Sequence, residues 1–202
     1  MVEQQLRARD LTDERVLAAM ARVPRELFVP EGLRDRAYDD AALPIAGGQT
    51  ISQPFMVAKI CEALALRGDE HVLDVGSGSG YQAAVLAELA AEVDTIERIP
   101  ELAESARSNL VAAGYGQVRV HAGDGTRGLP ERAPFDAIAV AVAAPRLPQT
   151  LYEQLEPRGR LVVPVGRHGI QRLEVIVRSP EGPAVIKSVP CRFVPLVGEE
   201  GF

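Results

Sequence analysis

Glycine recurs at alternate positions, Gly76, Gly78 and Gly80, directly after a short apolar run that carries one acid, Val72, Leu73, Asp74 and Val75. Glycine is needed where the backbone takes angles closed to side chains, or must come close to a ligand. A strand, such a turn and the helical stretch from Gln82 together open a doubly wound α/β domain. A dinucleotide site would want G-x-G-x-x-G, and its third glycine falls on Tyr81, so NAD and FAD are disfavoured. Glu97 closes a second apolar run, Val93 to Ile96, near the offset of about 20 residues at which an acid accepts from both hydroxyls of a ribose. Asp124 lies between Gly123 and Gly125 after a third run, Val118 to His121. It either accepts from an adenine amino group or forms the turn itself, and the residues alone leave both open. Ser52, just ahead of Pro54, reads on its own as a hydroxyl capping a helix.

These residues require a frame. Thr12 reads as a helix cap, with Asp13 and Glu14 in the first turn and Val16, Leu17, Met20 and Val23 at helical spacing. Gly47, Gly48 and two prolines mark a loop, and Met56, Val57, Ile60, Cys61 and Leu64 support the helix that starts at Pro54. Pro100 starts a helix that runs through Ala113 and stops at Gly114. Phe135 to Ala143 is the near-continuous apolar run of a buried parallel strand. A helix is expected from Pro148 to Leu155, a turn over Glu156 to Gly159, and strands over Leu161 to Val165, Leu173 to Val177 and Ala184 to Ser188. Arg167 to Ile170 would connect the first two of these strands, and Pro180 to Pro183 would turn a hairpin between the last two. The tail from Arg192 packs back onto the domain. The expected architecture is one α/β domain over residues 1–202, a Rossmann-like doubly wound core from 51 preceded by a helical extension and loop over 1–50.

Composition narrows the function. A chain of 202 residues with 47% hydrophobic and 25% charged residues suits an ordinary globular domain. A net charge of −6 argues against a broad grip on nucleic acid. The N-terminus has no apolar signal core and no run is long enough to span a membrane, which suggests a cytoplasmic protein. Cys61 and Cys191 form no metal-spaced pair and read as buried thiols, and His71, His121 and His168 stand singly, so no metal is expected.

The G-x-G-x-G turn after an acid-bearing strand resembles the first motif of S-adenosylmethionine-dependent methyltransferases. Further stretches resemble one family among them: Arg22 to Pro30 (RVPRELFVP), Gly48 to Pro54 (GQTISQP), Val72 to Gln82, Gly123 to Gly125, Pro134 to Ile138 and Arg192 to Gly198 (RFVPLVG). They are similar to protein-L-isoaspartate (D-aspartate) O-methyltransferases over nearly the whole chain, and the Thr50 to Pro54 stretch is more specific than the glycine turn. The resemblance implies methyl transfer from S-adenosylmethionine to the α-carboxylate of isoaspartyl residues in damaged proteins. The ester then closes to a succinimide, and S-adenosylhomocysteine is the product. It further implies that Asp74, Gly76, Ser77, Gly78 and Gly80 hold the cofactor, Glu97 its ribose, and Asp124 with Gly125 its adenine end. Thr50, Ile51 and Ser52 would line the junction with the acceptor, Ser52 as the active-site serine. Val57 stands where some members carry a histidine, which leaves contacts there open. Isoaspartyl proteins and peptides are the implied partners, with no nucleic acid and no membrane, and a monomer is expected. A carboxylate is ionised at neutral pH, so the lack of an obvious base agrees with this reading. A methyltransferase for a small molecule or RNA would leave Thr50 to Pro54 and the tail unexplained. A non-catalytic adenosyl-ligand binder would need no acceptor pocket.

Overall fold

Asp13, not Thr12, caps the first helix. Its Oδ1 accepts the N–H groups of Arg15 and Val16 at 2.9 and 3.2 Å, while the Thr12 N–H donates to Glu62 at 3.0 Å. Taking up the free N–H groups of a first turn is what a cap does. The computed structural model describes residues 1–167 and 170–202. Helix α1, Glu14–Arg22, buries Val16, Leu17 and Met20. A two-stranded hairpin follows, β1 (Leu43–Pro44) against β2 (Thr50–Ile51), and then α2 (Pro54–Leu64). Strands and helices next alternate: β3 (His71–Val75), α3 (Tyr81–Ala87), β4 (Glu92–Glu97), α4 (Pro100–Ala112), β5 (Arg119–Ala122), β6 (Phe135–Val140) and α5 (Gln149–Glu153). Strands β7 (Leu155–Arg167), β8 (Ile170–Ser179) and β9 (Gly182–Cys191) complete the chain's sheet.

Among the described residues the sheet has the order β5-β4-β3-β6-β7-β8-β9, parallel from β5 to β7 and antiparallel beyond. The fold is the Rossmann-like α/β class. Its strand order reverses between β3 and β6, where such sheets bind ligands beyond their carboxyl ends. One face carries Val72, Val93 and Val162 against α1 to α3, joined by Leu6, Leu11 and Phe28 from the N-terminal segment. The other carries Leu73, Val75, Ile96, Ile138 and Leu161 against Leu151 and Leu196. Each fully buried aliphatic side chain contributes about 1.5–3 kcal/mol.

Two expectations for the C-terminal half change. The helix expected to Leu155 ends at Glu153, because Leu155 already pairs with Phe135. The turn expected over Glu156 to Gly159 lies inside β7. Arg158 takes φ 72° there, and the register against β6 shifts between Phe135 and Ala137, so the chain bulges without leaving the sheet. Of the expected connection from Arg167 to Ile170, His168 and Gly169 lie outside the described residues.

Candidate functional site

The parallel register sets Asp74 beside Thr95 and Val75 beside Ile96, so β3 and β4 end together. The N–H groups of Gly76 and Ser77 donate to the Ile96 carbonyl at 2.9 and 3.3 Å. Gly76 and Gly78 then take φ 93° and 52°, angles that only glycine adopts without strain. Beneath the turn the Asp74 carboxylate is fully buried and accepts from Gln82 Nε2 at 2.7 Å and Thr95 Oγ1 at 2.8 Å. With the Thr95 proton committed there, Ser77 Oγ donates to Thr95 Oγ1 at 2.6 Å. Burial pushes the Asp74 carboxyl up to about 6, against the opposing pull of those two donors. Glu97, itself buried, accepts from the N–H of Gly78 and of Ile99, both at 2.9 Å. A carboxylate has about four acceptor positions, so both oxygens keep capacity for a ligand.

Opposite the turn stands the β1–β2 hairpin. Gln53, not Ser52, occupies the cap position of α2, and no side chain caps that helix. Pro54 suits the first helical position, and the Met56 N–H donates to the Gln53 carbonyl at 3.0 Å. The Ser52 hydroxyl has no hydrogen-bond partner among the described residues, whereas the Ser52 carbonyl accepts from Arg25 Nη2 at 2.8 Å. The capping role expected for Ser52 from the residues alone is therefore absent.

The third wall comes from the tail. Ala143 donates to the Val194 carbonyl at 2.8 Å and accepts from the Leu196 N–H at 2.7 Å, fixing this strap across the end of β6. The Gln171 side chain grips Phe193 from both sides, accepting its N–H at 2.6 Å and donating to its carbonyl at 3.1 Å. Farther on, Asp124 Oδ2 accepts the Glu199 N–H at 3.0 Å, and Oδ1 accepts from the Thr126 N–H and hydroxyl at 2.9 and 2.8 Å. Desolvation would raise the Asp124 carboxyl, but those donors hold it below the usual range. Asp124 thus forms the turn and latches the strap, and its carboxylate does not line the cleft.

The three walls enclose a cleft of about 850 Å³ including its open mouth. Thr50, Ile51, Ser52, Gly76, Ser77, Gly78, Glu97 and Gly125 all border it, as does Val57. Asp74 and Gly80 lie behind its surface, Gly80 at φ 90° as the cap residue of α3. Sequence reasoning missed Gln82, Arg98, Ile99, Val142 and the strap residues Val194 to Val197 as walls. Only for the strap was there a signal, the apolar tail itself. Thr50, Ser52, Ala141 and Val194 also border a second, neighbouring cavity that reaches Met56, Gln171 and Arg192.

Two of the single histidines, His71 and His121, are not isolated. Parallel pairing of β3, β4 and β5 brings His71 and His121 onto the two oxygens of buried Asp94, at 2.7 and 2.6 Å. Arg119 and Arg132 close on Glu92 and Asp94 from outside. Two guanidiniums neutralise the acids there, so the charge a metal ion would supply is already present.

Comparison with known proteins fits this geometry. A profile of the protein-L-isoaspartate(D-aspartate) O-methyltransferase family matches residues 1–201. Protein-L-isoaspartate O-methyltransferase 2 of Marinobacter nauticus is 57% identical, with 100% of this chain and 93% of that one covered. The protein-L-isoaspartate O-methyltransferase of Methanoculleus marisnigri is 52% identical, covering 100% and 92%. A solved protein-L-isoaspartate O-methyltransferase superposes with a TM-score of 0.87 at 28% identity, over 99% of this chain and 67% of that one. A candidate enzyme of the same name from Plasmodium falciparum, solved with S-adenosyl-L-homocysteine, gives 0.84 at 25% identity, covering 97% and 96%. The relatives do not favour the small-molecule or RNA reading. The chain belongs to the protein-L-isoaspartate(D-aspartate) O-methyltransferase family.

Proposed function

We propose that the chain transfers the methyl group of S-adenosylmethionine to the α-carboxylate of L-isoaspartyl residues in damaged proteins and peptides, starting their repair through a succinimide. One observation carries the reading. Ser52, with its hydroxyl unpartnered among the described residues, stands on the wall shared by the cleft and the neighbouring cavity. That is where a donor and an acceptor would meet.

The cleft suits the cofactor. A Cβ added at Gly76 would crowd the Val142 side chain, another wall of the cleft, at 3.2 Å. Gln82 borders the cleft, and its Oε1 is buried with no partner, an acceptor left for a ligand's donor. When bound, S-adenosylmethionine supplies an electrophilic methyl and leaves as S-adenosylhomocysteine. In this reading Glu97 accepts from the ribose hydroxyls, and Gly76, Ser77 and Gly78, their N–H groups already engaged by Ile96 and Glu97, bring the backbone close against the ligand. Asp74 and Gly80 hold the shape of the turn. Thr50 and Ile51 wall the junction, Gly125 borders the adenine end, and Asp124 acts there through the strap.

The acceptor carboxylate, with a reference pKa near ~4, is already ionised and needs no base. What remains is alignment and exclusion of water, which lower the barrier by proximity. Ser52 donates a hydrogen bond that orients the carboxylate. The strap from Val194 to Val197 covers the junction. A cytoplasmic location and a monomer complete the proposal, to be checked by cell fractionation and size-exclusion chromatography. No helix among the described residues is long and apolar enough to cross a membrane.

The test is methyl transfer from labelled S-adenosylmethionine to a peptide with one isoaspartyl residue and to its aspartyl isomer. Transfer to the first and little to the second is expected. Equal transfer to both would refute the repair reading, and transfer to neither would refute carboxyl methylation.

A further inference from the structure

Arg25 is fully buried, yet among the described residues no carboxylate pairs with it. An unpaired interior cation is costly, and such costs persist where something depends on them. Its guanidinium has definite tasks. Nε donates to the Ala37 carbonyl at 2.7 Å, Nη2 donates to the Ser52 carbonyl at 2.8 Å, and Cζ lies over the Tyr81 ring, 4.6 Å from its centre. Nη1 is buried without a partner. Tyr81 opens α3 directly after the glycine turn and packs edge-on against Phe28, at 5.6 Å. One side chain therefore touches the N-terminal segment, the Ser52 loop and the first residue of the helix behind the cofactor turn.

We propose that Arg25 is a positioning residue for methyl transfer, holding the Ser52 carbonyl so that the Ser52 hydroxyl is aimed at the acceptor carboxylate, in register with the glycine turn through Tyr81. The proposal rests on the methyl-transfer reading of the cleft. Fixing a carbonyl fixes the backbone on either side of it, and with it the direction of the Ser52 side chain. Arginine suits this task. Its planar fork donates in two directions while its face stacks on an aromatic ring, and an ammonium group cannot do all three. The direction matters because alignment is what the reaction needs. A residue serving only to attach the N-terminal segment would have no reason to reach the cleft's own loop.

The test compares wild type, Arg25→Lys, Arg25→Gln, Ser52→Ala and the double variant Arg25→Lys/Ser52→Ala. Each is measured for melting temperature, cofactor affinity and single-turnover rate on the isoaspartyl peptide at saturating cofactor. Arg25→Lys should lower the rate about tenfold while cofactor affinity changes by less than about threefold, since it disturbs alignment and not uniform binding. Residues acting through one another are not additive. The double variant should accordingly be no slower than Ser52→Ala alone. If Arg25→Lys and Arg25→Gln melt lower but turn over like wild type, the role is structural and the proposal is overturned. Multiplying rate losses in the double variant overturn it too, as does failure of both Arg25 variants to fold. Absence of isoaspartyl transfer by wild type would instead overturn the underlying reading of the function.

Discussion

Glu97 accepts the N–H of Gly78 at 2.9 Å, so the acid placed for a ribose also holds the glycine turn in shape. Removing it acts twice, on the ligand and on the loop that faces it. Glu97→Ala should weaken S-adenosylmethionine binding by at least about 1.5–3 kcal/mol, the scale of a hydrogen bond to a charged group. Glu97→Gln keeps one acceptor oxygen and should lose less. Part of the rate should return at saturating cofactor. Calorimetry on both variants checks this, and unchanged affinity in Glu97→Ala would remove Glu97 from the binding site.

Ser52 does not cap α2, and Ser52→Ala should therefore leave stability close to wild type. Loss of a working cap would cost about 1 kcal/mol. Turnover on the isoaspartyl peptide should fall, cofactor affinity should hold, and added cofactor should not restore the rate. A variant that melts lower but turns over normally would return Ser52 to a structural role.

Asp74 makes stability depend on pH in an unusual direction for a carboxylate. Burial raises its folded value to about 6 from 3.8, so the native state keeps the proton where the unfolded chain releases it. Stability from this group is greatest below the unfolded value and declines as pH rises through the folded one. Asp74→Asn removes that cost. Relative to wild type it should gain stability between pH 4 and pH 7 by about 3 kcal/mol, two pKa units at 1.36 kcal/mol each. Denaturant titrations across that range would show a flat difference if Asp74 were not the group concerned.

Asp94 behaves in the opposite sense. Desolvation alone would raise its carboxyl, but His71, His121 and Arg132 hold it below the usual range. Its contribution is present above the ordinary value and disappears as pH falls through the lowered one. At pH 7 Asp94→Asn should cost about 1.5–3 kcal/mol, the scale of a hydrogen bond to a charged group, because the histidines and arginines left behind are partly exposed. The gap from wild type should close in acid. A gap that persists there would mean packing, not charge, is what Asp94 supplies.

Gly198 sits so close to Asp124 that a Cβ there would overlap its carboxylate. Gly198→Ala should therefore lift the strap, raising the Michaelis constants for cofactor and peptide with little loss of global stability. If Asp124 instead met the adenine directly, Asp124→Ala would weaken cofactor binding and Gly198→Ala would not. Paired cofactor titrations decide between these roles.

Local signals were legible in the sequence. The glycine turn, the apolar run of β6, and the prolines that start α2 and α4 act within a few residues, and the elements appear where those signals lie. Within a capping turn the choice of Asp13 over Thr12 was not legible, since both side chains can cap and only the backbone path decides. The meeting of His71, Asp94 and His121 depends on the register of three parallel strands, which no short window encodes. The same holds for Arg25, whose two acceptors are the carbonyls of Ala37 and Ser52, and carbonyls leave no mark in a sequence.

The cleft takes one wall from Thr50 to Ser52 and another from Val194 to Val197, far apart in the sequence. During synthesis the glycine turn and the parallel strands β3 to β6 leave the ribosome well before the second wall does. A growing chain would therefore hold a half-built groove with no roof until Val194 to Val197 emerge. A chain cut before Val194 should lose methyl transfer while keeping most of its core.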